Sequence, residues 1–419
     1  MKAQVQILIF YRLLCFMYIY RRSSSSKVLL VFTALAIISA MFNTLRLPLS
    51  YETVSRKLTD TNVDMSSKRI LIAIPSYGRK QFLFLQDMLD SLHDICETGA
   101  QVTAFIYTTE PYTVEELHMF NSRTKCFHPT GTFDIVVKIK APSLKLHFVD
   151  AHRKDFYDHI DDYDLFIYTE DDHHLRPTHV VGYLYETEKL KQLVGNEAFP
   201  NYSIGFLRYE RDHSTGKRST FDQYEFKFSG LHSFSNPVLK DKYVGNRRMP
   251  HQGMFMATAE QLKLWKDRCK FDEIDPDNVE KESEKGTPTW HREFVSSLRL
   301  FANEGVKENC EVTQLFPADT FEFFMLHHMP DKYFTNPKFK KEHLMTTEDL
   351  HELVLRMVKD NQEIHKKVGA SGDYNGVTME MAPEYYNVEE GKEKISHEVR
   401  KIMSQYYDFV KNGGDLMMS

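Results

Sequence analysis

The segment Tyr163-Asp-Leu-Phe-Ile-Tyr168-Thr-Glu170-Asp171-Asp172 constrains this chain more than any other. An apolar run of strand length delivers three carboxylates at its carboxyl end, and open α/β sheets bind ligands just beyond that end of their strands. Glu170 and Asp172, at alternate positions, point to the same side of an extended chain. Hard oxygen ligands in that arrangement suit Mn²⁺ or Mg²⁺, which bridge a diphosphate. A solvated acidic turn would explain an isolated triplet; the pattern around this one points instead to a site.

That pattern alternates strands with helices. Arg69 to Ile74 reads as a short buried strand ending at Pro75-Ser76-Tyr77-Gly78-Arg79, and Phe82 to Ile95 carries apolar residues at helical spacing. Val102 to Tyr107 and Phe133 to Ile139 are further strands, and a helix through Leu190 follows the acidic triplet. Such alternation predicts a largely parallel sheet flanked by helices. Farther on, Tyr202 to Tyr209 reads as one strand, His251 to Ala257 as another and Ala259 to Cys269 as a helix. Trp290 to Asn303, Thr347 to Lys366 and Glu389 to Lys411 are also expected to be helical. The acidic, proline-containing stretch Phe271 to Pro288 reads as a loop.

The chain has 419 residues and a formal charge of −6, which argues against a nucleic-acid partner needing a basic face. Val28 to Leu45 is uncharged and follows Arg21, Arg22 and Lys27, so it is expected to be a signal anchor with a cytosolic N-terminus and a luminal bulk. No small-residue cleavage site of the A-x-A kind follows it, which disfavours a cleaved signal peptide. Val5 to Tyr20, apolar around Arg12, fits an interfacial helix or half of a hairpin. The expected division is residues 1–27 cytosolic or interfacial, 28–45 transmembrane, 46–67 stem, 68–335 catalytic and 336–419 a helical extension. Beyond Cys15, the cysteines Cys96, Cys126, Cys269 and Cys310 permit one or two disulfides in any of three full pairings, or buried free thiols.

The first strand with its Pro75-Ser76-Tyr77-Gly78-Arg79 loop, the helix and second strand, and then Tyr168-Thr169-Glu170-Asp171-Asp172 together resemble the GT-A class of nucleotide-sugar glycosyltransferases, over roughly Arg69 to His328. The resemblance implies a Rossmann-like fold whose first loop, Pro75, Ser76, Tyr77 and Arg79, holds the nucleoside of the donor, with Arg79 a candidate contact to the diphosphate that the acidic motif binds through metal. Glu110, after the second strand, and Asp171 are expected on the donor as well. The class carries a D-x-D-like metal motif; here it reads Glu-Asp-Asp, with Asp172 expected as the first ligand and Glu170 as the second. His251-Gln252-Gly253-Met254 resembles the Gly-containing strand that lines the acceptor side. A late histidine is a common further ligand, and His327 and His328 are the candidates; in an extended chain they point opposite ways, so one of them is expected on the metal. Glu293 sits where a catalytic base would take the acceptor proton in an inverting transfer; its alternative is a helix N-terminal carboxylate.

The resemblance thus implies a Mn²⁺- or Mg²⁺-dependent transferase acting on a nucleotide sugar and a glycan, protein or lipid acceptor. It would be a single-pass type II protein of the Golgi or endoplasmic reticulum membrane. The rivals are a non-catalytic luminal binding protein and a sugar-phosphate transferase on the same scaffold. Walker A, H-E-x-x-H, G-x-S-x-G and G-x-G-x-x-G sequences are absent.

Overall fold

The computed structural model describes residues 63–141, 144, 149–220, 231–232, 238–239, 241–246, 253–273, 300–301, 310–335 and 345–368. The expected membrane span, most of the stem, the tail helix from Glu389 and Glu293 itself lie outside the described residues. No helix among the described residues is long and apolar enough to cross a membrane.

β1 (Arg69–Ser76) buries every residue after Arg69. A strand with no polar face must be covered on both sides, as the inner strands of parallel sheets are. β1 pairs in parallel with β2 (Gln101–Thr108), and β2 with β3 (Thr132–Ile139). On its other side β1 takes β4 (Leu165–Thr169), from Ile70↔Leu165 to Ala73↔Tyr168. β11 (Met254–Thr258) closes that edge antiparallel to β4, giving the order β11-β4-β1-β2-β3. The chain therefore steps outward from β1 to β3 and then returns to the far side of β1. That reversal opens a crevice between the carboxyl ends of β1 and β4, the switch point at which such sheets bind ligands.

Helices link these strands. α1 (Phe82–Cys96) buries Leu85, Met88, Leu89, Leu92 and Ile95 on one face, at the spacing expected for it. Each side chain so buried contributes about 1.5–3 kcal/mol. α2 (Val114–Arg123) buries only Phe120, so apolar periodicity does not reveal it. Its signal is a capping box in which Thr113 accepts from the Glu116 N–H while Glu116 accepts from the Thr113 N–H. α3 (Ala151–Asp158) is likewise unforeseen: it buries His152, Arg153 and Phe156, an unusual core face.

The second half departs from a parallel sheet. β5 (His173–His174) leads into α4 (Pro177–Ala198). Tyr202 to Tyr209, expected as one strand, is two. β6 (Tyr202–Ile204) pairs with β12 (Thr313–Pro317), whereas β7 (Leu207–Arg211) pairs with β13 (Met325–His328). Gly205 lies between them, and a Cβ there would stand 2.8 Å from the Phe316 ring, so only glycine lets the chain pass at this point. β10 (Tyr243–Asn246) and β9 (Leu231–His232) complete the sheet β6-β12-β10-β9, and β8 (Arg218–Thr220) and β14 (Met345–Thr346) complete β14-β8-β7-β13-β5.

α5 (Ala259–Cys269) keeps its expected bounds. It starts on a Thr258–Gln261 capping box and ends at left-handed Lys270, φ 55°. A disulfide joins Cys269, its last residue, to Cys310. α6 (Lys332–Thr335) follows β13. α7 (Thr347–Val368) lays Leu350, Val354 and Met357 on a cluster that includes Leu207, Val244, Phe316 and Phe321. The fold is mixed α/β, with a parallel sheet and several helices.

Candidate functional site

The acidic triplet lies at the carboxyl end of β4, beside β1. β4 ends at Thr169, and the chain turns through Glu170, Asp171 and Asp172 into the short β5. Antiparallel pairing with β13 sets His328 directly opposite His173, and His327 opposite His174. Facing residues of a strand pair project to the same side. The His173 and His328 rings consequently stand 5.8 Å apart, centroid to centroid.

Glu170, Asp172 and His173 each offer a ligand atom, and these atoms lie within 4.8 Å of one another. His328 Nε2 lies 3.2 Å from Asp172 Oδ2. Its other nitrogen, Nδ1, is 2.6 Å from Glu210 Oε1 on β7, forming a buried carboxylate–imidazole–carboxylate chain. Gln81, at the entrance to α1, donates from Nε2 to Asp172 Oδ2 at 3.0 Å. The Met329 N–H donates to the Asp172 carbonyl at 2.8 Å, which ties the turn after β13 to the triplet.

Charge is distributed unequally among these groups. Burial alone would raise the Asp172 carboxyl, but the His328 imidazolium beside it more than offsets that and holds it well below the ordinary range. Burial alone would lower His328; the charges of Asp172 and Glu210 instead bring it up to about 9. Asp171 is pushed up to about 7, first by burial and then by the neighbouring Asp172 charge, against a hydrogen bond from Ser76 at the end of β1. The adjacent carboxyl groups of Asp171 and Asp172 thus occupy distinct electrostatic states. Lys332 of α6 adds a positive field on Asp172, and Arg208 of β7 one on His328.

Two observations bear on whether a divalent cation fits. Asp172 is 5% exposed, and its Oδ1 has no hydrogen-bond partner among the described residues. Such a buried oxygen has lost its hydration without compensation. Gly253, just before β11, closes the other side at φ 57°; a Cβ there would stand 2.5 Å from Glu170 Oε2 and 2.6 Å from His173 Cε1. The missing side chain leaves room for the Glu170 carboxylate beside the imidazole, and Gly253 O accepts from the Glu170 N–H at 2.9 Å. Two carboxylates with an imidazole form an oxygen–nitrogen set that suits Mn²⁺. The residues fit the ion.

The other expected residues divide. Ser76 reaches Asp171, and Pro75 lies in β1 opposite Tyr107. Tyr77, 56% exposed, directly follows β1. Arg79 is held by its own neighbours: it pairs with Glu116 at 3.1 Å, approaches Glu110 at 3.9 Å, donates to the Pro111 carbonyl, and its guanidinium lies 4.3 Å from the Tyr112 ring centroid. Arg79 and Glu110 therefore meet each other rather than the triplet. His327 turns away from Asp172, stacking on Tyr209 and meeting Asp331 Oδ1 at 3.2 Å. The two histidines do point opposite ways, and His328 is the one beside Asp172.

His173, Glu210, Gln81 and Lys332 were not among the expected residues. His173 was detectable, because it follows the triplet directly. Glu210 and Gln81 carry no local signal; strand pairing and the path into α1 bring them in.

No protein-family model matches the chain. No curated protein matches it. Among solved structures, one of an active-site mutant of LgtC aligns over 62% of this chain and 86% of that one, at 11% identity and a TM-score of 0.29. A likeness of that degree assigns no residue and no chemistry, so the site stands on its own geometry.

Proposed function

We propose that this chain is a metal-dependent glycosyltransferase that moves a sugar from a nucleotide-sugar donor to a glycan, protein or lipid acceptor. The observation that carries the reading is the convergence of Glu170, Asp172 and His173 within 4.8 Å at the carboxyl end of β4, at the sheet's switch point. Glu170, Asp172 and His173 would hold Mn²⁺ or Mg²⁺, with His328 as a further nitrogen ligand in place of its contact to Asp172. A divalent ion bound there supplies neutralisation of the charge that develops on the departing diphosphate.

The chain's own residues do the rest. Ser76 and Tyr77 border the donor side, where an exposed aromatic ring can stack on a base. Lys332 adds positive charge beside the carboxylates without taking a coordination position. Glu210 holds the His328 ring in place. Glu293 remains the candidate base for an inverting transfer. A single-pass anchor at 28–45 in the Golgi or endoplasmic reticulum membrane completes the proposal, and the Cys269–Cys310 disulfide suits an oxidising lumen.

The test is a screen of nucleotide sugars for donor hydrolysis by the purified chain, with Mn²⁺ and with chelator, beside Asp172→Ala. Turnover of one donor, lost with chelator and in the variant, is expected. No turnover of any donor, together with no Mn²⁺-dependent nucleotide binding by calorimetry, would sink the enzymatic reading.

A further inference from the structure

Far from the carboxylate site, at the opposite end of α1, two cysteines meet. Cys96 is the last residue of α1 and fully buried; Cys126 is partly exposed, in the segment between α2 and β3. After burial, Cys126 is the next neighbour that raises the Cys96 thiol. Gly131 makes their approach possible: a Cβ there would stand 2.6 Å from Cys126 Sγ and 2.2 Å from the Cys96 carbonyl oxygen. The glycine leaves the space that the sulfur occupies.

The segment carrying Cys126 is held against α1 without any covalent link. The Phe127 N–H donates to Glu97 Oε1 at 2.7 Å, His93 Nε2 donates to the Lys125 carbonyl at 2.9 Å, and Thr130 Oγ1 donates to the Gly99 carbonyl at 2.9 Å. These bonds flank Cys126 on both sides, so the folded chain itself holds Cys126 beside the end of α1.

We propose that Cys96 and Cys126 are a disulfide-forming pair and that the mature protein carries a second bridge there beside Cys269–Cys310. The oxidant is a low-molecular-weight disulfide or a protein disulfide of the same chemistry. Cys126, the accessible member, attacks one sulfur of the oxidant as a thiolate and releases one thiol, leaving a mixed disulfide. Cys96 then attacks the Cys126 sulfur, gives up its proton and expels the second thiol. Two protein thiols and one external disulfide become one protein disulfide and two external thiols. Burial pushes the Cys96 thiol up, consistent with its acting second, when the attack is intramolecular.

A metal is the rival occupant, since His93, Cys96 and Glu97 offer ligand atoms within 4.8 Å of one another. His93 and Glu97, however, already hold Lys125 and Phe127 in place. Coordination would take away the bonds that position the loop, whereas oxidation leaves them intact. The bridge would fasten the end of α1 to the start of β3, and so hold the edge strand of the central sheet.

The experiment incubates the full chain with glutathione disulfide, alkylates it under denaturing conditions, and maps its peptides without reduction. A linked Cys96–Cys126 peptide pair is expected, with the intact mass about two units below that of a chain bridged only at Cys269–Cys310. A second measurement compares melting temperatures: Cys126→Ser should melt below the oxidised wild type, and at the temperature of wild type whose Cys96 and Cys126 remain reduced. Alkylation of both Cys96 and Cys126 while Cys269 and Cys310 stay linked would overturn the proposal. So would zinc retained stoichiometrically with both thiols reduced, or a Cys126→Ser chain that melts with the oxidised wild type.

Discussion

The Cβ that Gly253 lacks would stand 2.5 Å from Glu170 Oε2, so the strand beside β4 and the first carboxylate of the triplet fit only because one side chain is missing. Gly253→Ala should push the Glu170 carboxylate and the His173 ring out of place and cost about 1–2 kcal/mol for the left-handed backbone besides. Titration calorimetry should find Mn²⁺ affinity reduced at least tenfold, with a small drop in melting temperature. Wild-type affinity in the alanine variant would show that Glu170 and His173 take no part in binding the ion.

The two adjacent histidines should behave differently. His328→Ala leaves Asp172 and Glu210 buried without their shared cation, and removing one partner from a buried pair costs about 3–5 kcal/mol. His327 is only partly buried and meets Asp331 on the far side of the strand, so His327→Ala should cost far less and leave Mn²⁺ affinity unchanged. Urea unfolding of both metal-free variants provides the comparison; equal losses would contradict the opposed directions of the two rings.

Glu210 stands behind His328, its Oε1 2.6 Å from Nδ1. A carboxylate behind a ligating imidazole fixes its tautomer and orientation, and its loss typically costs about 10–100-fold in metal affinity. Glu210→Gln should fall in that range, read by Mn²⁺ electron paramagnetic resonance with no substrate present. An unchanged affinity would mean that His328 is oriented by its neighbours alone.

Acid should destabilise the metal-free protein early. His152 and His179 are each buried and depressed to about 3, first by burial and then by Arg153 and Arg176 respectively, and His174 is depressed to about 4. The unfolded chain takes up these protons near pH 6.5, the folded chain only near 3 to 4, so stability is full above about 6.5 and falls as pH drops. Asp171, raised to about 7, works in the opposite sense over pH 4–7 and cancels one proton. Counting only the fully buried His152 and His179 against Asp171 leaves one net proton, a slope of about 1.4 kcal/mol per pH unit between pH 6 and 4.5. Denaturant midpoints measured across that window test it; a flat profile would mean that the histidines are hydrated.

How far the sequence reveals all this varies by element. Ile70 to Ile74 is apolar without interruption, and the Leu85, Met88, Leu89, Leu92 spacing marks a helix face, so β1, α1 and the acidic end of β4 were legible. α2 was missed because only Phe120 is buried, although Thr113 and Glu116 spelled out its capping box. Within Tyr202 to Tyr209 the one local sign of a division between two sheets is Gly205; the ring it passes, Phe316, lies more than a hundred residues away. Alternation in an extended chain separates His327 from His328, but only pairing of His328 with His173 decides which one faces Asp172. Glu210 reaches that histidine through tertiary contact alone, and such a contact leaves no local trace.

The return of β4 to the far side of β1 has a consequence for the chain as it is made. Asp164 accepts from the Arg69 N–H across a separation of 95 residues, so during synthesis β1 waits with one edge open until β4 emerges. An unpaired apolar edge is where a nascent chain is most prone to pair wrongly. β11 and β13 come later still, bringing Gly253 and His328. The site is therefore completed by a late arrival, and a ribosome-bound chain stopped before β13 would hold the central sheet and the carboxylates without His328.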